Sequence, residues 1–424
     1  AEHERLKMLT GEVICHARCF KDKFRAICIS ITLLLWSSKL SDAMQLIITN
    51  LSYLGEELPV AVTQDVIQFQ SNHTKTLLAG LSDDALLCYP AMSDPSKIMA
   101  MELFSKQFIN YTFSGDSDSM PIIPLKMVQT SLAYGMSPLA SVGFVLYGNY
   151  LALARGENSE GYRYVKLALS LMKRMPSIAH DSEIMYYSAH TKLRMEPMQS
   201  TIESYKDIYK IAMASGAARF AFGCSFMYDY FRFWTGMKLD VVVTSMKETM
   251  KQMVFYKNFV MLALEEPVFR LSLRLTGQSD EHQRGDLTNV FGEFYNEGGA
   301  STKLPMVVLA ICFAQFYEGL VFREVDRARD SLKKFLSRQS ISVVNMSNPG
   351  DFFRIFYSGL ASFWIGRETN DKELIRKGTE CKDKIEKLVV SASTWNFQNK
   401  AYLLQAEEQF CERNFDVAET LYDA

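Results

Sequence analysis

Residues Tyr134–Arg174 read YGMSPLASVGFVLYGNYLALARGENSEGYRYVKLALSLMKR, two helical patterns joined by a short polar turn. Ser137 stands where a helix cap belongs, and Pro138 suits the first turn, where no backbone N–H is needed. Phe144, Tyr147, Leu151 and Ala154 then fall on one side at helical spacing, and Gly156 supplies a left-handed stop. The second pattern repeats the spacing at Tyr164, Leu167, Ala168, Leu171 and Met175. Gly143, Gly148, Ala152 and Ala168 are small enough to let neighbouring helices approach closely. A helix pair with this much apolar surface needs another pair on either side to cover it. The stretch therefore predicts a helical-repeat array.

The same reading extends along the chain. Helices are predicted over residues 1–59, the last capped near Ser41–Asp42 and stopped at Gly55. Leu-Ser-Asp-Asp marks a restart at 81–84, and Ser93-Asp94-Pro95 opens a helix presenting Ile98, Met101, Phe104 and Phe108. Ser114–Ser119 is a polar seam. Further helices follow at Asp181–Arg194, Ser200–Ala214, Ala217–Thr235 and through Val242, Met246, Met250, Met253 and Val254. A loop is expected at 276–286 and another at 341–350, with helices at about 287–296, 303–319, 323–338, 351–366, 371–391, 396–412 and from 415 onward. Two-residue alternation is nowhere sustained, so the fold class is all-α: an irregular tetratricopeptide-like helical-repeat solenoid, an α–α superhelix. Ala168 and Ile208 sit about forty residues apart at comparable places, but Ala328 and Ala418 break that step, and a strict ~34-residue period is absent. Three groups of repeats are expected, 1–115, 120–275 and 286–424, within a piece of a longer chain, since both ends fall inside helical patterns.

The chain has 424 residues, 48% hydrophobic, with a formal net charge of −2, which gives no electrostatic case for nucleic acid or an anionic membrane. Eight scattered cysteines in so long a chain point to a reducing, cytoplasmic setting rather than a disulfide scaffold. Ala26–Trp36 covers only about half of the ~20 residues a membrane span requires. Met127–Ala154 is uncharged but carries Gln129, Ser131, Ser137, Pro138, Ser141 and Asn149, which suits buried helices better than a span.

The chemical motifs sought are mostly missing. The sequence holds no GxxxxGK[S/T] phosphate loop, no GxGxxG after a strand and no HExxH. Gly223–Met227 lacks the second glycine of a nucleophile elbow and sits in a helical pattern, so it reads as core. Cys15 and Cys19, with His16 between them, give only half a tetrahedral zinc site; the expected reading is a pair of small buried side chains. His180 beside Asp181 lies at a loop-to-helix boundary, where the aspartate is a natural cap. Arg323–Arg338 interleaves both signs around Val325, Ala328, Leu332 and Phe335, a solvated face with one buried stripe. An all-α enzyme holding a magnesium-bound diphosphate would need clustered aspartates, and the adjacent pair Asp83–Asp84 reads as a helix start. The 22 methionines and 12% aromatics suit the interior of an irregular array, or else a groove for a peptide or small apolar ligand. No catalytic, cofactor-binding or metal-binding residue is assigned.

Several segments together resemble the tetratricopeptide-like region that follows the ATPase module in large multidomain signalling ATPases of the STAND, AAA+ type. They are Asp42–Pro59 (DAMQLIITNLSYLGEELP), Leu86–Leu103 (LLCYPAMSDPSKIMAMEL), the Tyr134–Arg174 stretch, Phe356–Arg367 (FYSGLASFWIGR) and Trp395–Glu408 (WNFQNKAYLLQAEE), in that order. The match thins over Gly236–Gln283. The resemblance implies a non-catalytic regulatory or scaffold region, with ATP and magnesium bound by a domain upstream and kinase or cyclase domains elsewhere in the same chain. Its partners would be a protein segment on a concave surface and those neighbouring domains. A standalone adaptor that assembles proteins is the alternative.

Overall fold

The computed structural model describes residues 2–59, 61–278, 304–339 and 349–424. Among them lie twenty α-helices, one π-helical turn and no strand. The first eight are α1 (Glu2–His16), α2 (Phe20–Trp36), α3 (Leu40–Tyr53), α4 (Gln64–Leu78), α5 (Asp83–Leu87), α6 (Pro95–Ser114), α7 (Ile122–Tyr134) and α8 (Pro138–Asn149). A π turn (Tyr150–Ala154) precedes α9 (Asn158–Arg174), α10 (Asp181–Met195), α11 (Met198–Ala214), α12 (Ala218–Trp234), α13 (Leu239–Phe255) and α14 (Phe259–Leu275). The last six are α15 (Pro305–Val321), α16 (Val325–Gln339), α17 (Asp351–Thr369), α18 (Lys372–Ser391), α19 (Thr394–Cys411) and α20 (Phe415–Asp423). The loop expected at 276–286, beyond Gln278, the helix expected at 287–296 and most of the 341–350 loop lie outside the described residues.

The chain divides into two compact units, Ala1–Tyr150 with Tyr164–Ile184, and Leu151–Arg163 with Met185–Ala424. In the first, α6 is the central element: Ala100, Met101, Leu103 and Phe104 are fully buried, and α2, α3, α7 and α8 all pack on it. Asp94 accepts from Ser96 N and Pro95 sits in the first turn, so the helix start read from sequence is the one formed. Gly135, at φ +106°, is required where α7 turns into α8. A Cβ there would lie 2.7 Å from Pro90 O, beside the two backbone bonds that tie Met136 to Pro90 and Met92.

Three local expectations need correction. Ser137 holds the cap position of α8, but its hydroxyl makes no cap bond and is buried without a partner, so Pro138 and tertiary packing set that start. Ser41–Asp42 lies inside the first turn of α3, which begins at Leu40 after a Lys39 cap position. The helix from Pro138 does not stay α-helical to Ala154: its last turn widens to a π turn, closed by Gly156 at φ +71° with Glu157 N bonded to Leu151 O at 2.8 Å.

The second unit is built of helix pairs. Neighbours pack along the chain, and alternate helices also touch, α12 with α14, α15 with α17 and α17 with α19, so one helix of each pair forms a common layer. Those helices start at Ala218, Phe259, Pro305, Asp351 and Thr394, at unequal steps longer than the ~34-residue tetratricopeptide period. Most connections are closed by one left-handed residue: glycine at 216, 236 and 277, but Lys257, Arg323, Asn370 and Arg413 at the other sharp turns. Non-glycine residues there cost about 1–2 kcal/mol each, which the close packing of paired helices must offset. That packing is tight: a Cβ on Gly319 of α15 would lie 2.8 Å from the Ala328 backbone N of α16.

Candidate functional site: an aromatic and cationic face in the second unit

The sequence's candidates for chemistry take structural places. Gly223–Met227 lies within α12, with Cys224 fully buried and the Tyr186 ring 3.3 Å from where a Gly223 Cβ would stand. Asp83–Asp84 forms the first turn of α5, capped by the Ser82 hydroxyl. In α16, Ala328, Leu332 and Phe335 are fully buried while Arg327 and Arg329 pair with Glu318, Glu324 and Asp326. Cys15 and Cys19 are exposed rather than buried, because α1 ends at His16 and Cys19 stands at the cap of α2, off the helix that would have aligned them. No group of three or more His, Cys, Asp or Glu side chains among the described residues could hold a metal ion.

His180 and Asp181 do not act together. The Asp181 carboxylate accepts from Ser177 N, tying the preceding turn instead of capping α10. His180 lies within the first unit, with Nε2 3.3 Å from Glu102 and Nδ1 3.4 Å from Glu183. Ser105 donates to Glu183 at 2.7 Å, and Lys106 pairs with Glu102 at 3.1 Å. Burial pulls the imidazole pKa down, but the Glu183 bond and the charges of both glutamates outweigh it, leaving it raised. Burial drives the neighbouring Cys28 thiol up to about 12. With His180 protonated, two cations meet two carboxylates. The serine bonds the carboxylate and not the imidazole, so nothing activates it as a nucleophile, and the network reads as a helix clamp.

Chemistry of a different kind gathers in the second unit, on α12, α15 and α17 of the common layer. Trp234 of α12 is ringed by Phe313 at 4.8 Å, Tyr317 at 4.8 Å and Tyr357 at 5.3 Å, and Tyr317 meets Tyr357 edge-on at 4.8 Å. Trp234 and Phe313 are buried whereas Tyr317 and Tyr357 are half-buried, so the cluster meets solvent at those two residues, whose side chains also hydrogen-bond each other. The Trp234 indole N–H, only a donor, has no partner. Two arginines of this unit are buried, Arg194 of α10 and Arg354 of α17, 7% and 8% exposed. The Arg354 guanidinium lies 5.7 Å from the Phe313 ring and acts, together with Asp351, on the Tyr230 hydroxyl. Burial lowers Arg194 to about 10, with Asp351 alone opposing.

Beside this face sits a second buried polar group. Glu265 of α14 is fully buried with neither carboxylate oxygen bonded, and burial reinforced by Asp229 raises its pKa well above the usual carboxylate range. Asp229 is itself pushed up to about 6 by burial, against Ser245, Arg232 and Thr249. Neither arginine nor this acidic pair was singled out from sequence. The available signal was periodicity: Arg194 follows Ile184, Tyr187 and Thr191 on one apolar stripe, and Arg354 leads Ser358, Ala361 and Ile365 on another.

No family profile matches the chain, and no curated protein matches it. Among solved structures, the crystal structure of a Rap protein complexed with competence and sporulation factor is similar to it, with a TM-score of 0.51 over 95% of this chain and 96% of that one. The fold is a tetratricopeptide-like helical repeat. At 12% identity the likeness extends to the fold alone. No helix among the described residues is long and apolar enough to cross a membrane.

Proposed function

We propose that this chain is a non-catalytic regulatory and scaffold region of a cytoplasmic signalling ATPase, whose second unit binds a protein segment and passes that event to neighbouring ATPase or kinase domains. The observation that carries the reading is the Trp234–Tyr317–Tyr357 face beside Arg354: large aromatics with an unpartnered indole N–H and a nearby cation, the residue types that dominate protein recognition. Two facts support it: the similar Rap protein was solved in complex with competence and sporulation factor, and the sequence lacks a phosphate loop. The ATPase context rests on the resemblance of the five ordered segments. Binding would bias the neighbouring domains only if the segment favours one of their two states over the other.

The test is to read the transcript through both ends of the segment, express the contiguous product, and measure ATP hydrolysis with and without residues 1–424. An upstream phosphate-loop domain whose rate changes on deletion is the expected result. ATP hydrolysis by the isolated chain, abolished by a mutation within it, would refute the proposal. A reading frame bounded by start and stop signals close to this segment would favour the standalone adaptor.

A further inference from the structure

In a helical-repeat array each pair ordinarily contacts only its neighbours along the chain. The second unit departs from that rule in two places. Asn396, in the first turn of α19 and 5% exposed, reaches back to the corner between α10 and α11. Its Nδ2 donates to Leu193 O at 3.2 Å and Glu196 O at 2.8 Å, and its Oδ1 accepts from Met198 N at 3.4 Å. These are the carbonyls at the end of α10 and the first N–H of α11, left over at a corner where Pro197 holds the cap position and its side chain can accept nothing. One asparagine therefore caps two helices from 200 residues along the chain. A second tie runs from the start of α9: Asn158 Nδ2 donates to Ser391 Oγ, at the end of α18, at 3.0 Å, while Tyr162 donates to the Glu196 carboxylate at 2.6 Å. The other departure is aromatic. Although α13 to α16 lie between them in sequence, α12 meets α17 through Trp234 with Tyr357 at 5.3 Å and Phe353 at 6.1 Å, and through Phe231 with Phe353 at 6.2 Å. Both seams are made by side-chain tips: neither α11 with α19 nor α12 with α17 has the face-to-face packing that joins successive helices. Such a seam can part without unfolding any helix.

We infer that the second unit is a self-closed turn of the array latched by Asn396, and that release of the latch presents the full Trp234 face to a protein segment. In the closed form Trp234, Phe313 and Phe353 are buried, and the cluster meets solvent at Tyr317 and Tyr357. A segment that needs the buried rings binds the open form, so its apparent affinity is reduced by the fraction of chains that are open, and its binding in turn holds the turn open. The inference rests on the proposal that this face binds a protein segment, and it adds the two-state element through which that event is passed on. Truncating Asn396 leaves two carbonyls and an N–H without partners in the closed form, whereas opening lets water reach them, so the balance shifts toward the open form.

Trp234 reports on the latch with no segment present, so failure here is distinct from failure of the binding proposal. In the 424-residue chain carrying Trp36→Phe and Trp395→Phe, which remove the two exposed indoles, only the buried Trp234 and Trp364 remain for acrylamide to quench. Asn396→Ala is expected to raise the quenching constant about twofold or more, with the far-UV circular dichroism unchanged because the helices separate without melting. Adding Trp234→Phe should abolish the rise, which assigns it to Trp234 and not to Trp364. Equal quenching in the parent and Asn396→Ala, or a rise that persists without Trp234, overturns the latch and leaves segment binding standing. Should Asn396→Ala lose helix, Ser391→Ala, which removes the Asn158 tie alone, decides the matter: a smaller rise with helix intact supports the latch, and no rise overturns it.

Discussion

Gly319 and Gly11 make a pair of substitutions whose effects on stability should have opposite signs. Both are helical glycines, in α15 and α1, and alanine favours a helix interior over glycine by about 0.8–1.0 kcal/mol. At Gly11 an added Cβ would meet nothing within 4 Å, so Gly11→Ala should realise most of that gain. At Gly319 the same atom would lie 2.8 Å from Ala328 N, 2.9 Å from Ala328 Cα and 3.0 Å from its Cβ. Two of these are backbone atoms, which no rotamer change can move, so α15 and α16 would have to separate. Overpacking of this kind costs about 1–3 kcal/mol; set against the propensity gain, Gly319→Ala should destabilise by roughly 0.5–2 kcal/mol. Urea and thermal unfolding followed by circular dichroism, each variant against the parent, would read both. If Gly319→Ala stabilises the chain as Gly11→Ala does, the close approach of α15 and α16 is wrong, and with it the packing of that repeat.

Three further outcomes follow from the ionisable groups. Because the folded pKa of His180 is raised, its contribution is full below the unfolded value of 6.5 and is lost as pH rises through the folded value. The melting temperature of the parent should therefore fall over that interval, while His180→Gln should lack that fall, and superimposable pH profiles would contradict the network. Glu265 has a raised folded pKa as well, so its contribution is present below 4.5 and is lost as pH rises; Glu265→Gln should be more stable than the parent at pH 8 in urea melts, and equal stability there would contradict the buried, unbonded carboxylate. Exposed Cys15, Cys19 and Cys88 should react with a thiol reagent in the native chain, whereas buried Cys224 and Cys381, whose thiols burial raises, should label only on unfolding; fast labelling of Cys224 would contradict the core position of α12.

What the sequence determined by itself is the kind of structure. Helical spacing at Met101, Phe104 and Phe108, or at Val242, Met246, Met250 and Met253, selects one buried face per helix, and these seven side chains are buried, whereas Ile98, expected on the same face as Met101, is exposed at the first turn of α6. Local punctuation was legible for the same reason: Asp94-Pro95, Gly55, Gly115 and Gly156 act through their own backbone and that of their immediate neighbours. Where a start depended on distant packing, as at Ser137 or Lys39, the local reading missed, since the deciding contacts come from elsewhere in the chain.

Only the tertiary structure decided which polar groups meet. His180 read as the neighbour of a capping Asp181, yet its partners Glu102 and Glu183 come from α6 and the first turn of α10. Arg194, Trp234, Tyr317 and Arg354 are spread over four helices, and nothing in any one helix announces the others. Periodicity could show that Arg194 and Arg354 face inward. It could not show which groups meet them there, because a charge balance is set by every element packed around a site, and that neighbourhood exists only once the chain has folded.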